Sequence, residues 1–161
     1  MTLLVPMGPA FFGTYMPTEI AAYAEDNIVA GRWPREGALD RSRAEFESLL
    51  PHGLATPEHH LFEIKLGEPG PTIGALWIGI EERHGLRGAF VYNVGIDTAR
   101  RRQGHALRAF EALESTVRGL GLSHIGLHVF GHNPGAQALY AKLGYGVTGV
   151  NMVKHLGETR G

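Results

Sequence analysis

RRQGHA, Arg101 to Ala106, stands between an apolar run, Ala89 to Ile96, and a stretch of helical periodicity that ends near Leu120. A strand, a basic turn, a glycine and a helix start, in that order, make a place to hold phosphate. The first turn of a helix leaves N–H groups unpaired and presents the positive end of the helix dipole. Gly104 lets an anion approach the backbone, and Arg100, Arg101 and Arg102 add a positive field. The stretch predicts a ligand carrying a pyrophosphate.

Reading outward toward the C-terminus, Ala106, Phe110, Leu113, Val117 and Leu120 fall on one helical face, with Arg108, Glu111, Ser115 and Arg118 on the other. His124 to Phe130 follows as a strand, and a helical crossover between two strands permits parallel pairing. Asn133 and Pro134 read as an N-cap and first helical residue, Ala136, Leu139, Tyr140 and Leu143 as one face, and Gly144 as the stop. Tyr145 to Val150 and Asn151 to His155 are expected to close the sheet as a hairpin-like pair.

Toward the N-terminus, Thr72 to Glu81 is apolar on both faces and therefore central, and His60 to Leu66 alternates as its neighbour. With Ala89 to Ile96 these form an antiparallel meander. Leu3, Val5 and Met7 mark a short edge strand cut by Pro6, Gly8 and Pro9. One helix is expected from an N-cap at Thr18 to Gly31, a second from Glu36 to Leu50 with Leu39, Phe46, Leu49 and Leu50 inward, and Trp33 lies between them. A helix pair ahead of a sheet serves either as one wall of a cleft or as ordinary cover.

The totals narrow the function. At 161 residues and 43% hydrophobic, the chain suits one domain, 1–161, with a real core. A net charge of −1 gives no overall basic field, so neither broad nucleic-acid binding nor attraction to an anionic membrane is expected. The absence of cysteine removes disulfides, thiolate catalysis and zinc-thiolate sites, and fits a cytoplasmic protein. No basic leader precedes the first apolar residues, and no apolar run approaches a membrane span. Nine histidines invite a metal reading. However, His59 and His60 point to opposite faces of a strand, and His128 and His132 straddle a strand end, so no metal is expected. There is no G-x-x-x-x-G-K-[ST] run, and RRQGHA lacks the three-glycine dinucleotide spacing.

From Ile73 to Leu156 the order of elements and two motifs resemble the GNAT superfamily of acetyl-CoA-dependent N-acyltransferases. That family's pyrophosphate motif, Q/R-x-x-G-x-G/A, is met by Arg101, Gly104 and Ala106. Its second motif, Asn, then Ala, then Leu-Tyr before a Gly-aromatic pair, is met by Asn133, Ala136, Leu139, Tyr140, Gly144 and Tyr145. LHVFGHN and VNMVKHL are similar to a bacterial branch whose substrate is unspecified. The resemblance implies an α/β fold: a mixed, mostly antiparallel sheet that splays between Ala89–Ile96 and His124–Phe130, with flanking helices. Residues 73–156 would form the cofactor-binding core and 1–66 an acceptor-side wall.

The resemblance further implies acetyl-CoA as co-substrate, an amine acceptor and direct transfer without metal. Amides from Arg102 through Gln103, Gly104, His105 and Ala106 would hold the pyrophosphate, with Arg101 supporting the turn. Val94 and Ile96 would pair their backbone with the pantetheine arm, and the Ile96 N–H would face the thioester oxygen. Tyr140 would protonate the leaving thiolate, and Asn133 would cap its helix or bond pantetheine. No motif marks the general base; Glu81, Glu82, His84, His128, His132 and a water chain are candidates. Tyr92 and Asn93 could bind acceptor, with Trp33, Tyr23 and the loop from Glu82 to Arg87 as walls. An acyl-CoA sensor that holds the cofactor without transferring it remains the alternative, and so does a longer acyl donor. Association through the last strands is common in the superfamily and allows a homodimer.

Overall fold

The computed structural model describes residues 1–157. Five strands form one sheet in the order β1 (Thr2–Pro6), β2 (His59–Leu66), β3 (Thr72–Arg83), β4 (Leu86–Ile96) and β5 (Ile125–Leu127). The first four pair antiparallel and β5 lies parallel to β4. Helices α1 (Pro9–Val29) and α2 (Ala38–Leu49) precede β2; α3 (His105–Gly119) links β4 to β5, and α4 (Pro134–Lys142) follows. This mixed α/β sheet is the architecture expected from the sequence.

The expected centre of the sheet is its centre. Every residue of β3 from Ile73 to Gly79 is buried, because the strand is covered on both faces. Ile73, Leu76 and Ile78 join Phe110, Leu113 and Val117 of α3 in one core, while Ala75 and Trp77 join Tyr15, Ile20 and Phe46 of α1 and α2 in another. The β3–β4 hairpin turns at His84 and Gly85, both with positive φ, the type I′ geometry that matches strand twist. That tight turn extends β4 back to Leu86, beyond the expected start at Ala89.

A bulge lies in β4. Trp77 pairs with Asn93 but Ile78 pairs with Val91, so Tyr92 is the extra residue. Consequently Tyr92 and Asn93 both face α1, where Tyr92 stacks on Trp77 at 4.8 Å and Asn93 bonds to Tyr15. Pairing between β4 and β5 covers only Ala89–Val91 against Ile125–Leu127. Beyond Val91 the two chains separate, which is the splay anticipated from the resemblance.

Five expectations are corrected. Helix α1 begins at Pro9, not after Thr18, and carries Pro17 inside it. Burying Tyr15 and packing Phe11, Phe12 and Met16 on the α1–α2 core outweighs the cost of about 3 kcal/mol for an internal proline. Helix α2 starts at Ala38 after Gly37, and buries Ala38, Ser42 and Phe46 while Leu39 is 47% exposed. Leu120 is also exposed, beyond the end of α3. Strand β5 ends at Leu127 instead of Phe130, and the segment from Tyr145 to His155 forms no strand pair. Gly146 and Gly149 interrupt that segment, and glycines weaken a strand.

Candidate functional site

Two cavities flank α4. The first, of about 320 Å³, lies over the start of α3 and is lined by Ile96, Arg100 to Arg102, Gly104, His105, Ala106 and Leu107, with Gly135, Leu139 and Lys142 of α4 opposite. The first intrahelical bond of α3 runs from Arg108 N–H to Gly104 O, so the amides of His105, Ala106 and Leu107 precede any helical acceptor. Arg102 (φ 62°) and Gly104 (φ 79°) both take the left-handed conformation, which curls the backbone around the cavity. Arg101 Nε donates to Ile96 O at 2.9 Å, tying the turn to the end of β4. Arg108 Nη2 donates to Gln103 O at 2.8 Å and lies 2.9 Å from His105 Nδ1, bracing the turn from behind. Buried His105 is held below its ordinary pKa by desolvation and by the Arg108 and Arg100 guanidiniums. The site is therefore a cationic cradle of three arginines and a lysine over free amides, suited to a pyrophosphate. Of the residues expected here, Gln103 contributes its backbone to the turn but does not line the cavity.

The second cavity, about 420 Å³, opens where β4 and β5 part. Val94, Asn133 and Tyr140 line it with Tyr92 and Asn93 of β4 and His128 and Phe130 beyond β5. Adjacent residues of α4 thus face different cavities: Leu139 the first, Tyr140 the second. Asn133 caps α4 by accepting the Ala136 N–H at 3.2 Å. Tyr140 stands edge-on to Phe110 at 5.4 Å, and burial raises its phenol above the ordinary value, so it is protonated at neutral pH.

The opposite wall belongs to α1 and α2, through Glu19, Tyr23, Asp26, Glu45 and Phe46, with Arg32 beyond α1. Asn93 Nδ2 donates to Glu19 Oε2 at 2.9 Å, while Tyr15 Oη donates to Asn93 Oδ1 at 2.8 Å. Burial raises the Glu19 carboxyl above its ordinary value, the Asn93 amide opposes this, and Asp26 adds to it.

A model of the acetyltransferase (GNAT) family matches residues 20–145, across both cavities. The chain belongs to the GNAT acetyltransferase family. It is 40% identical over 154 residues to the uncharacterized N-acetyltransferase YycN of Bacillus subtilis (strain 168), covering 96% of this chain and 98% of that protein. A second B. subtilis (strain 168) protein, the uncharacterized N-acetyltransferase YdgE, is 32% identical over 90% of this chain and 92% of its own. The crystal structure of YycN superposes with a TM-score of 0.92 at 39% identity, covering 98% of this chain and all of that one.

Within this GNAT chain the residues weighed as a general base are dispersed. Glu81 accepts the Tyr92 hydroxyl at 2.7 Å and pairs with Arg83 at 3.1 Å. Glu82 and His84 lie at the turn end of the β3–β4 hairpin and do not line the second cavity, and His132 pairs with Asp26 at 3.1 Å. His128 does line it, with its imidazole held below the ordinary pKa by burial and by Arg32. Trp33 packs edge-on against Tyr23 at 5.6 Å and stays outside the lining. Glu19 was not among the expected residues. Its signal is the spacing Tyr15, Glu19, Tyr23, Asp26, one face of a helix that is visible only when the helix starts before Pro17. Among the described residues no cluster of three or more His, Asp or Glu could hold a metal ion, and no helix is long and apolar enough to cross a membrane.

Proposed function

We propose that this chain transfers an acetyl group directly from acetyl-CoA to a primary amine of a small molecule, peptide or protein. The carrying observation is the placement of Leu139 and Tyr140 on either side of α4, which joins a pyrophosphate cradle to a cavity holding a protonated phenol. The amides and cations around Gly104 bind the pyrophosphate. The backbone of Val94 and Ile96, beyond the last β5 pairing and leading from the second cavity to the first, meets the pantetheine amides. As the nitrogen attacks, the C–S bond breaks and Tyr140 protonates the sulfur, whose thiolate has an ordinary pKa of about 8.5. Helices α1 and α2 form the acceptor wall, and the reaction uses no metal and no covalent enzyme intermediate.

Thiol release from acetyl-CoA, followed across alkylamines, polyamines, amino acids, aminoglycosides and peptides, tests this reading. Acceptor-dependent release at the expected sites of acetylation supports it. Tight acetyl-CoA binding with no release for any acceptor would instead leave a cofactor-binding sensor.

A further inference from the structure

We propose that Glu19 is the general base of the reaction, held in place by Asn93 and Tyr15; this rests on the acetyltransferase reading above. An alkylammonium must lose a proton before its nitrogen can attack, so a base must reach the same cavity as the thioester. Glu19 lines that cavity from the wall facing Tyr140, half-buried on α1. Its Oε2 is fixed by Asn93, and among the described residues Oε1 accepts no hydrogen bond, leaving it for an incoming N–H.

Asn93 gives the arrangement its accuracy. The β4 bulge turns Asn93 toward α1, one residue before Val94, whose backbone is assigned to the donor. The strand that holds the thioester therefore also aims the carboxylate. The Tyr15 hydroxyl, buried and donating to Asn93 Oδ1, fixes the amide so that its NH₂ points at Glu19. The other carboxylates on this wall are engaged or open to solvent: Asp26 with His132, Glu45 exposed beside Tyr23. The charged and titratable groups around Glu19 are Tyr15, Tyr23 and Asp26 on α1, Arg32, Glu45 on α2, Tyr92 on β4, His128 beyond β5 and Tyr140 on α4.

The proton count closes. The ammonium gives one proton to Glu19, the neutral nitrogen forms the C–N bond, the C–S bond breaks, and Tyr140 protonates the sulfur. The proton shed as the nitrogen becomes an amide returns to Tyr140, and the proton on Glu19 passes to water. Burial favours this role, since a carboxylate with a raised pKa is a better proton acceptor near neutral pH.

The test compares Glu19→Gln with the unaltered chain for kcat, KM, the pH profile of kcat and acetyl-CoA affinity. With an alkylamine, kcat is expected to fall about 10²- to 10⁴-fold. Acetyl-CoA affinity is retained, the acidic limb assigned to Glu19 disappears, and hydroxylamine, neutral at the assay pH, is acetylated nearly as before. A variant with kcat and acidic limb intact overturns the proposal, and so does one with only KM raised, which makes Glu19 an ammonium anchor. Asn93→Ala supplies a second reading if Glu19→Gln misfolds. It removes a bond that lowers the Glu19 pKa, so the acidic limb must move to higher pH, and an unmoved limb counts against the base. An unaltered chain that binds acetyl-CoA but acetylates no amine at any pH removes the acetyltransferase reading and the base together. Equal turnover by both forms removes the base alone.

Discussion

Replacing Gly104 with alanine puts a Cβ where the backbone has φ +79° and where Arg108 Nη1 would lie 2.9 Å away. The left-handed conformation costs a non-glycine residue about 1–2 kcal/mol. Arg108 is a flexible neighbour, but moving it disturbs its bonds to Gln103 O, His105 and Thr2 Oγ1. At about 2–4 °C per kcal/mol for a chain of this size, the melting temperature should drop by about 2–8 °C. Relieving this strain also shifts the turn that presents the α3 amides to an approaching phosphate oxygen. Loss of one hydrogen bond to a charged group, about 1.5–3 kcal/mol, weakens binding about 10- to 150-fold. Calorimetric titration with acetyl-CoA reads this directly, and acetyl-pantetheine, which lacks the pyrophosphate, should bind both forms alike. A variant that melts lower as expected yet binds acetyl-CoA with full affinity would refute the phosphate assignment.

Tyr140→Phe should lower kcat about 10²-fold or more while acetyl-CoA affinity holds, and unchanged turnover under conditions where chemistry limits the rate would remove Tyr140 as the acid. Phe110→Ala empties a fully buried site against Leu113, Tyr140 and Tyr145 and should cost about 3–5 kcal/mol in urea unfolding. Glu63 offers a pH test of stability. Burial raises its carboxyl, but the Gly8 N–H and the Thr72 hydroxyl outweigh this and hold it below the ordinary value. A carboxyl depressed in the folded state stabilises the fold above its unfolded pKa of about 4.3, and that stability is lost as pH falls below it. Glu63→Gln should therefore show a flatter loss of stability between neutral pH and about pH 3 than the unaltered chain, and parallel curves would contradict the assignment.

What the sequence disclosed followed from periodicity and punctuation. Strand β3 was legible because seven consecutive buried residues leave an unbroken apolar run, and α3 and α4 because glycine or Asn-Pro signals frame clear faces. The turn from Arg100 to Leu107 that lines the first cavity was legible because its residues are contiguous in the chain. The opposite wall was not, since Pro17 reads locally as a boundary while the burial that overrides it depends on Phe46 and Trp77, distant in sequence. Glu19 was hidden for the same reason: its partner Asn93 lies 74 residues away. Nor does any residue type announce the bulge at Tyr92, which exists only as a mismatch between two registers. Tyr145 to His155 has strand-like composition, but its pairing depends on tertiary partners that composition does not specify.

That mismatch bears on how the chain can change. Along β4 the side chains that join the α3 core are Ala89 and Val91, then Val94 and Ile96, so the count of two slips to three at one place. The strand is thus written in two reading frames spliced at Tyr92. Deleting that residue would rejoin them as one regular strand with every side chain still on its own face, and would remove the local bend and twist that the bulge gives. Val91 before the splice and Val94 after it both touch the α3 core and the second cavity, so the splice sets how the core and the cavity share one strand.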